Sequence, residues 1–312
     1  MLWDRNCSRP CRLSWGAGSG VASGIEQLVR VAESTGWNIA MYQYALAEIG
    51  AGRVLAEDER AADWRFLLPA TGKRGEALVL GCGLGAIPVA LCDVFTRVYA
   101  VDVIRERVRL LELRAAEHGI ANLVPMHVVP DGPLPFEPER FGLVVARSSD
   151  WDLRSASSPG PAAFRAVARD VHRLLGAGGV AYFSVANRWS YRRLLHPWTA
   201  GEGIERSLRG YRKVLVAAGF AGVRCYAPLP SHEGIPLFYV SLDDAALFEY
   251  FWECVFPLFE TVSPEVKRLY ALEYRVAKLA ARLAGPLGLT GLARYLVPGF
   301  GIIATRRDRC RA

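Results

Sequence analysis

The sequence lacks the features of a metal or disulfide protein. Its 312 residues include seven cysteines, but none of them form a C-x-x-C pair. An odd number of scattered cysteines predicts neither a zinc knuckle nor a disulfide framework. Histidines and acids show no metal-ligand spacing either, so we predict no metal. Reduced thiols are typical of a cytoplasmic protein, and we expect that location.

Long hydrophobic runs are also missing. No stretch of 18 uncharged apolar residues occurs, so no membrane-spanning helix is expected. The N-terminus has no apolar segment of the signal-peptide kind, and residues 1–23 are predicted to be a disordered leader. The net charge of +7 favours an acidic partner or is an ordinary soluble surface, and dense basic blocks are absent.

The chain has three kinds of segment after this leader. Helical periodicity begins at Ile25 and continues to about Ile49, with Gly36 as a break. Short apolar strands then alternate with amphipathic helices, which predicts a doubly wound α/β fold with a mostly parallel sheet. A helical insertion precedes the last strand and a basic tail. The predicted boundaries are 24–70, 71–230, 231–298 and 299–312.

Seven strands are predicted. They are Ala77–Leu80, Val98–Val101, Leu123–Val129, Leu143–Ala146, Val180–Val185, Val223–Ala227 and Gly299–Thr305. The helices of the core and the insertion are Ile87–Val94, Arg105–His118, Ala162–Leu175, Ser207–Ala218, Asp243–Thr261 and Pro264–Leu283. The stretch 229–244, which follows the strand Val223–Ala227, is predicted to be a loop.

A glycine-rich turn follows the first strand in "EALVLGCGLGAIPVAL". Glycines 81, 83 and 85 allow the backbone to approach a ligand closely. A dinucleotide fingerprint requires glycine at position 86, where this chain has Ala86, so a smaller nucleoside fits better. Asp102 ends the second strand and can accept both ribose hydroxyls. Asp131 follows the third strand and can meet an adenine amino group; each acid alone is equally well a turn residue or a cap.

These motifs together resemble the class I S-adenosylmethionine-dependent methyltransferases. The matching stretches are "ALVLGCGLGA", "VYAVDV", "VVPDGPLPF", "FGLVVARSSDW", "DVHRLLGAGGVAYFSVANR" and "GFGIIATRR". The resemblance implies a seven-stranded sheet, S-adenosylmethionine as cofactor and methyl transfer by in-line displacement. It places Gly81, Gly83 and Gly85 beside the amino-acid part of the cofactor, Asp102 at the ribose and Asp131 at the adenine. The neighbouring residues of the implied cofactor site are Cys82, Val103, Gly132 and Arg147.

Two positions depart from the pattern of this group. Val79 occupies the place of an acid that helps to anchor the amino-acid end of the cofactor, and Gly142 replaces the usual aspartate of the fourth strand. A looser similarity, in residues 207–251 and 295–307, is to methyltransferases encoded among bacterial polysaccharide and glycosyltransferase genes. This similarity says little about the acceptor, which we expect to be a small molecule, a glycan or a lipid-linked compound.

Methyl transfer to a hydroxyl benefits from a general base beside the strand ends. Asp150 in "ARSSDWDL" and His232 in "LPSHEGIP" are the catalytic candidates. Their alternatives are a helix cap and a plain loop histidine. The predicted substrate contacts are Trp151, Asn187, Arg188 and Glu233, for which core packing or loop surface is the alternative.

The sequence therefore predicts a methyltransferase acting on a hydroxyl of a sugar, glycan, glycolipid or related natural product. An N- or C-methyltransferase of a small molecule, which needs no base, and a non-catalytic S-adenosylmethionine-binding partner are the alternatives. The fourth-strand loop lacks an NPPY-like signature, so no nucleic-acid partner is predicted. The C-terminal helices either cap the acceptor site, pack on the core or another subunit, or contact a membrane peripherally. The oligomeric state stays open.

Overall fold

Eight strands form one sheet in the computed structural model, which describes residues 19–47, 59–68, 74–130, 132–147, 161–191, 206–229, 236–256 and 290–307, with 275, 278–279 and 282–283. The strands are β1 Arg74–Leu80, β2 Phe95–Asp102, β3 Leu123–His127, β4 Phe141–Arg147, β5 Leu175–Ala186, β6 Phe220–Leu229, β7 Phe238–Ser241 and β8 Gly299–Arg306. The helices are α1 Ser19–Thr35, α2 Trp37–Ala47, α3 Ala86–Leu91, α4 Arg105–Glu117, α5 Pro161–Leu174, α6 Leu208–Ala217, α7 Ala245–Tyr250 and α8 Thr290–Ala293. A 3-10 helix, Glu59–Leu67, precedes β1, and a π-helical turn, Phe251–Val255, continues α7.

The strand order is β3-β2-β1-β4-β5-β8-β6-β7. Strands β1 to β5 pair in parallel, whereas β8 lies antiparallel between β5 and β6. This is the predicted doubly wound, mostly parallel sheet. The count of seven strands is corrected to eight, because β7 pairs antiparallel with the edge of β6 inside the stretch 229–244, which was predicted to be a loop.

The alternation of side chains along the strands buries both faces of the sheet. In β1, Leu78 and Leu80 point to one core cluster, whereas Ala77 and Val79 point to another. Helices α5, α6 and α7 cover the first face. The second face, that of Val79, is covered by α3, α4 and the 3-10 helix.

Trp64 fixes the 3-10 helix onto the second face. Its ring is almost fully buried and stacks on Tyr182 of β5, with ring centroids 4.0 Å apart and planes within 5° of parallel. The neighbouring Arg65 donates a hydrogen bond from its guanidinium to the carbonyl of Ala90 at the end of α3. This segment is therefore held to the sheet and to α3 at the same time.

The N-terminal helices differ in one boundary from the prediction. Helix α1 begins at Ser19, within the stretch that was predicted to be a disordered leader. The predicted break at Gly36 is confirmed, with φ at +92°. The Glu117 carboxylate of α4 accepts hydrogen bonds from the backbone N–H groups of Trp37 and Asn38, and so caps the start of α2 from another helix.

Residues 236–256, the longest described stretch of the predicted helical cap, pack on the core. Asp244 accepts a hydrogen bond from Leu247 N at 3.0 Å and begins α7. The aromatic side chains of this segment are buried against the first face; they are Phe248, Phe251, Trp252 and Phe256. Most of the predicted helix 264–283 lies outside the described residues. Residues 236–256 therefore pack on the core, whereas Leu279, Leu283 and Leu292 of the same predicted region are exposed. The cap over the acceptor site stays a prediction.

His172 gives the fold a pH dependence. Burial beside Phe220, and then the charge of Arg306, hold the pKa of His172 below its usual 6.5. Because the unfolded chain binds this proton more readily, the histidine contributes stability above pH 6.5 that is lost as pH falls below that value. We expect the free energy of unfolding of His172→Asn to change less between pH 5 and 7 than that of the wild type. Urea unfolding at each pH measures the difference; parallel pH profiles of the two proteins would contradict this account.

Candidate active site

The glycine turn runs from the end of β1 to the start of α3. Gly81, Gly83 and Gly85 all have positive φ angles, of 82°, 53° and 93°. Gly81 N donates to Val101 O at 2.8 Å and ties the turn to β2, and Gly85 N donates to Cys82 O at 3.0 Å. Left-handed backbone at three alternate positions is a conformation that glycine adopts at little cost, and it explains the residue pattern.

Gly83 and Gly85 face different surroundings. A Cβ atom at Gly85 would lie 2.6 Å from the Leu111 side chain of α4, so this glycine allows the turn to pack against the helix. Among the described residues, a Cβ atom at Gly83 would have no neighbour within 4 Å beyond the adjoining residues of the turn. The turn is therefore closed toward α4 and open beside Gly83, where a ligand can approach the backbone.

Asp102 lies under the turn at the end of β2. Its side chain is almost fully buried, and Oδ2 accepts from Cys82 N at 3.1 Å and from Gly83 N at 3.4 Å. Among the described residues, Oδ1 accepts a single hydrogen bond, from Ile104 N at 2.9 Å. The carboxylate thus holds the turn in shape through one oxygen and has acceptor capacity left on the other. The residues fit a nucleoside cofactor whose ribose hydroxyls reach Oδ1.

Two arginines of α4 support this arrangement and were missed in the sequence. Arg107 lies 3.4 Å from Asp102 Oδ2, and both side chains are buried. Arg114 donates to Leu84 O at 3.2 Å and stacks over Trp37 of α2 at 4.4 Å. Seven residues separate the two arginines, so they lie on one face of the helix together with its leucines. In the sequence they resemble surface arginines, and only their position on the inward face of α4 reveals their role.

The two departures from the usual pattern have different consequences. Val79 is buried among Ala77, Ile87 and Val145. This position is therefore apolar and provides no carboxylate to anchor the amino-acid end of a cofactor. Gly142 is the second residue of β4, at the end of the sheet opposite to the turn, and among the described residues a Cβ atom there would meet only Glu76 O, at 3.8 Å. Gly142 is therefore remote from the cofactor site.

Several predicted site residues fall outside the described part of the chain; they are Asp131, Asp150, Trp151, His232 and Glu233. Among the described ones, Arg147 comes close to the glycine turn, because its neighbour Ala146 pairs with Leu80. Cys82 lies in the turn, with its Sγ 3.5 Å from Asp102 Oδ2. Val103 packs against the first core cluster. Gly132 lies in the loop that follows β3.

Asn187 has a structural role that the sequence did not indicate. Its side chain is buried, and its amide nitrogen donates to Tyr295 O at 2.7 Å and to Val297 O at 2.8 Å. Its Oδ1 accepts from Trp189 N at 3.0 Å. These bonds join the end of β5 to the segment that leads into β8 and account for an asparagine here without a ligand. Arg188 is exposed and lies 5.5 Å from the Trp189 ring centroid.

A cluster of polar side chains lies at the carboxyl ends of β4 and β5, on the same face of the sheet as Val79. Arg147 pairs in register with Ser184, and Tyr182 lies two residues before that serine. Burial raises the pKa of Tyr182, and the Tyr239 hydroxyl, the charge of Arg147 and Ser184 counteract part of the rise. Tyr182 is therefore neutral at physiological pH and acts as a hydrogen-bonding group rather than a base.

Two further findings concern only the described residues. None of their helices combines the length and apolar composition that crossing a membrane requires. No cluster of three or more His, Cys, Asp or Glu side chains that could hold a metal ion occurs in the described ranges.

The chain is similar to methyltransferases of known sequence and structure. Residues 78–183 match the profile of a family described as a methyltransferase domain. A solved phosphoethanolamine N-methyltransferase 2 of Haemonchus contortus, in complex with phosphomonomethylethanolamine and S-adenosylhomocysteine, is 11% identical, with a TM-score of 0.50 over 89% of this chain and 59% of that one. Geranyl diphosphate methyltransferase in complex with S-adenosylmethionine is 17% identical, with a TM-score of 0.44 over 83% of this chain and 90% of that one. Bacillus subtilis YcgJ is 15% identical, with a TM-score of 0.43 over 80% and 98%. No curated protein matches.

The family match spans β1 to β5 and includes the glycine turn and Asp102. At 11% identity, the similarity to the nematode enzyme is one of fold. The predictions of the doubly wound class I fold and of a methyltransferase are confirmed.

Proposed function

We propose that this S-adenosylmethionine-dependent methyltransferase methylates a hydroxyl of a sugar, glycan, glycolipid or related natural product. The observation that carries the methyl-donor site is the turn open at Gly83 above the Asp102 carboxylate. The sequence resemblance of residues 207–251 and 295–307 to methyltransferases encoded with bacterial polysaccharide genes is the reason why we include glycans among the acceptors. A cytoplasmic location suits a nucleotide-linked or lipid-linked acceptor.

The residues of the turn and of two strand ends would bind the cofactor. Gly81 and Gly83 would lie along its amino-acid part, Asp102 Oδ1 would accept the ribose hydroxyls, and Asp131 would accept the adenine amine. When bound, the cofactor supplies a methyl group on a positively charged sulfur. Residues at the strand ends would hold the acceptor hydroxyl in line with that methyl group, and a base of this chain would take the hydroxyl proton.

Asp150 and His232 are the proposed bases. Arg147, three residues before Asp150, ends β4 at the edge of the glycine turn. The chain on both sides of His232 also lies at this edge, because Leu237 N donates to Leu229 O at 2.7 Å where β6 and β7 meet. Both candidates thus start from the edge where an acceptor would meet the methyl group.

A methyl-transfer assay with hydroxyl and amine acceptors tests the reaction. We expect transfer to hydroxylated saccharides, and a kcat about 100-fold lower in Asp150→Asn or His232→Gln, with unchanged affinity for S-adenosylmethionine. Asp93→Asn, an exposed aspartate, is the matched control. Transfer to amines alone, or full activity in both variants, would favour an N- or C-methyltransferase instead.

A further inference from the structure

A cavity of about 360 Å³ opens between the 3-10 helix and β7. Its lining residues are Asp63, Arg65, Phe66, Pro236, Leu237 and Tyr239. This volume lies within the range of small-molecule sites, roughly 300–1,000 Å³, and the mixture of aromatic, aliphatic and charged side chains is typical of them. The wall formed by β7 is an addition of this chain to the predicted seven-stranded frame.

Both walls of the cavity are fixed by contacts outside it. Trp64, next to Asp63, stacks on Tyr182, and Arg65 donates to Ala90 O. On the other side, the bond from Leu237 N to Leu229 O closes the start of β7 onto β6. Because neither wall depends on a ligand for its position, the cavity is preformed.

The lining contains two aromatic rings and two side chains of opposite charge. Phe66 is 67% exposed and packs edge-to-face on Tyr239, with centroids 5.7 Å apart. Burial and then the Tyr182 hydroxyl raise the pKa of Tyr239, and the charge of Asp63 adds to the rise, so this carboxylate lies close to a neutral phenol. Aromatic faces suit the C–H surface of a sugar ring, whereas a carboxylate accepts from hydroxyls and a guanidinium donates to them. Because the charges of Asp63 and Arg65 are opposite, the cavity favours a ligand without net charge.

The cavity lies at the catalytic edge of the sheet but away from the methyl donor. Tyr239 pairs with Pro228, two residues beyond Tyr226, which is level with Arg147 across β8 and β5. From β4 to β7 there are four strand steps, or about 19 Å along the sheet. A ligand in the cavity is therefore too far from the glycine turn to present the reacting hydroxyl itself.

We propose that this cavity is a subsite for a distal hydroxylated ring of an extended acceptor, so that the substrate is an oligosaccharide or a glycolipid head group rather than a monosaccharide. This proposal rests on the proposed sugar-directed methyl transfer. The 3-10 helix and β7 would thus select the length of the acceptor, and the glycine turn would bind the methyl donor.

Binding of the full chain to an array of defined mono- to tetrasaccharides, in the presence of S-adenosylhomocysteine, tests the subsite. We expect binding to di- or longer saccharides, reduced about tenfold or more by Asp63→Asn and by Phe66→Ala, because a hydrogen bond to a charged group and an aromatic face are lost. Asp93→Asn and Tyr250→Ala, with a tyrosine 62% exposed, are the matched controls and should bind as the wild type does.

Titration of each protein with S-adenosylmethionine separates the possible failures. Cofactor binding without any saccharide binding, saccharide binding that both cavity variants retain, or binding of monosaccharides alone would overturn the subsite and leave the methyltransferase intact. Loss of cofactor binding in the folded wild-type protein would instead overturn the proposed function.

Discussion

Replacement of Asp102 by alanine is expected to weaken S-adenosylmethionine binding by about 100- to 10,000-fold. Two hydrogen bonds from ribose hydroxyls to a carboxylate are worth about 1.5–3 kcal/mol each, and the substitution removes both. It also removes the acceptor for the N–H groups of Cys82 and Gly83, which holds the glycine turn in shape. Isothermal titration calorimetry measures the change in Kd.

A second variant keeps this test independent of folding. Alanine at position 102 removes the carboxylate that pairs with the buried Arg107, which is strongly destabilising. Asp102→Asn keeps the shape and one acceptor oxygen, and we expect it to remain folded by circular dichroism and to bind more weakly than the wild type. Asp93→Asn, an exposed aspartate after α3, should bind normally. Wild-type affinity in a folded Asp102→Asn and Asp102→Ala pair would show that this acid does not contact the cofactor.

Gly83→Ala and Gly85→Ala are expected to fail in opposite ways. At Gly85 the added methyl group would lie 2.6 Å from the Leu111 side chain and at a φ of +93°, so we expect about 2–5 kcal/mol less stability. At Gly83 the methyl group meets no other described residue within 4 Å, apart from its chain neighbours, and the φ of +53° costs only about 1–2 kcal/mol. The Gly83 variant should fold and still lose cofactor binding, because its methyl group occupies the open side of the turn.

Chemical unfolding and calorimetric titration of the two variants together measure this contrast. Each glycine variant is the control for the other, since both add one methyl group to the same turn. A Gly83→Ala protein that binds S-adenosylmethionine as tightly as the wild type would place the cofactor elsewhere than beside this glycine.

The sheet, the glycine turn and the position of Asp102 could be predicted because local patterns determine them. Buried parallel strands are continuous apolar runs, and a left-handed turn requires glycine at particular positions. The break at Gly36 follows from the same conformational preference. These features depend on residues close together in the chain.

The parts that were missed depend on partners far apart in the chain. Strand β7 is four residues long, and Phe238–Ser241 becomes a strand only because the edge of β6 is available for pairing. Arg107 and Arg114 resemble surface arginines until the glycine turn is placed beside α4. Asn187 likewise follows a strand as a loop residue would, and its carbonyl partners are more than 100 residues away.

The central claim is that the glycine turn binds S-adenosylmethionine for methyl transfer. The most direct measurement is calorimetric titration of the purified full-length protein with S-adenosylmethionine and, separately, with NADH. We expect saturable binding of S-adenosylmethionine with one site per chain and no binding of NADH, because Ala86 replaces the third glycine of a dinucleotide turn. Binding of NADH, or a folded protein that does not bind S-adenosylmethionine, would contradict the account.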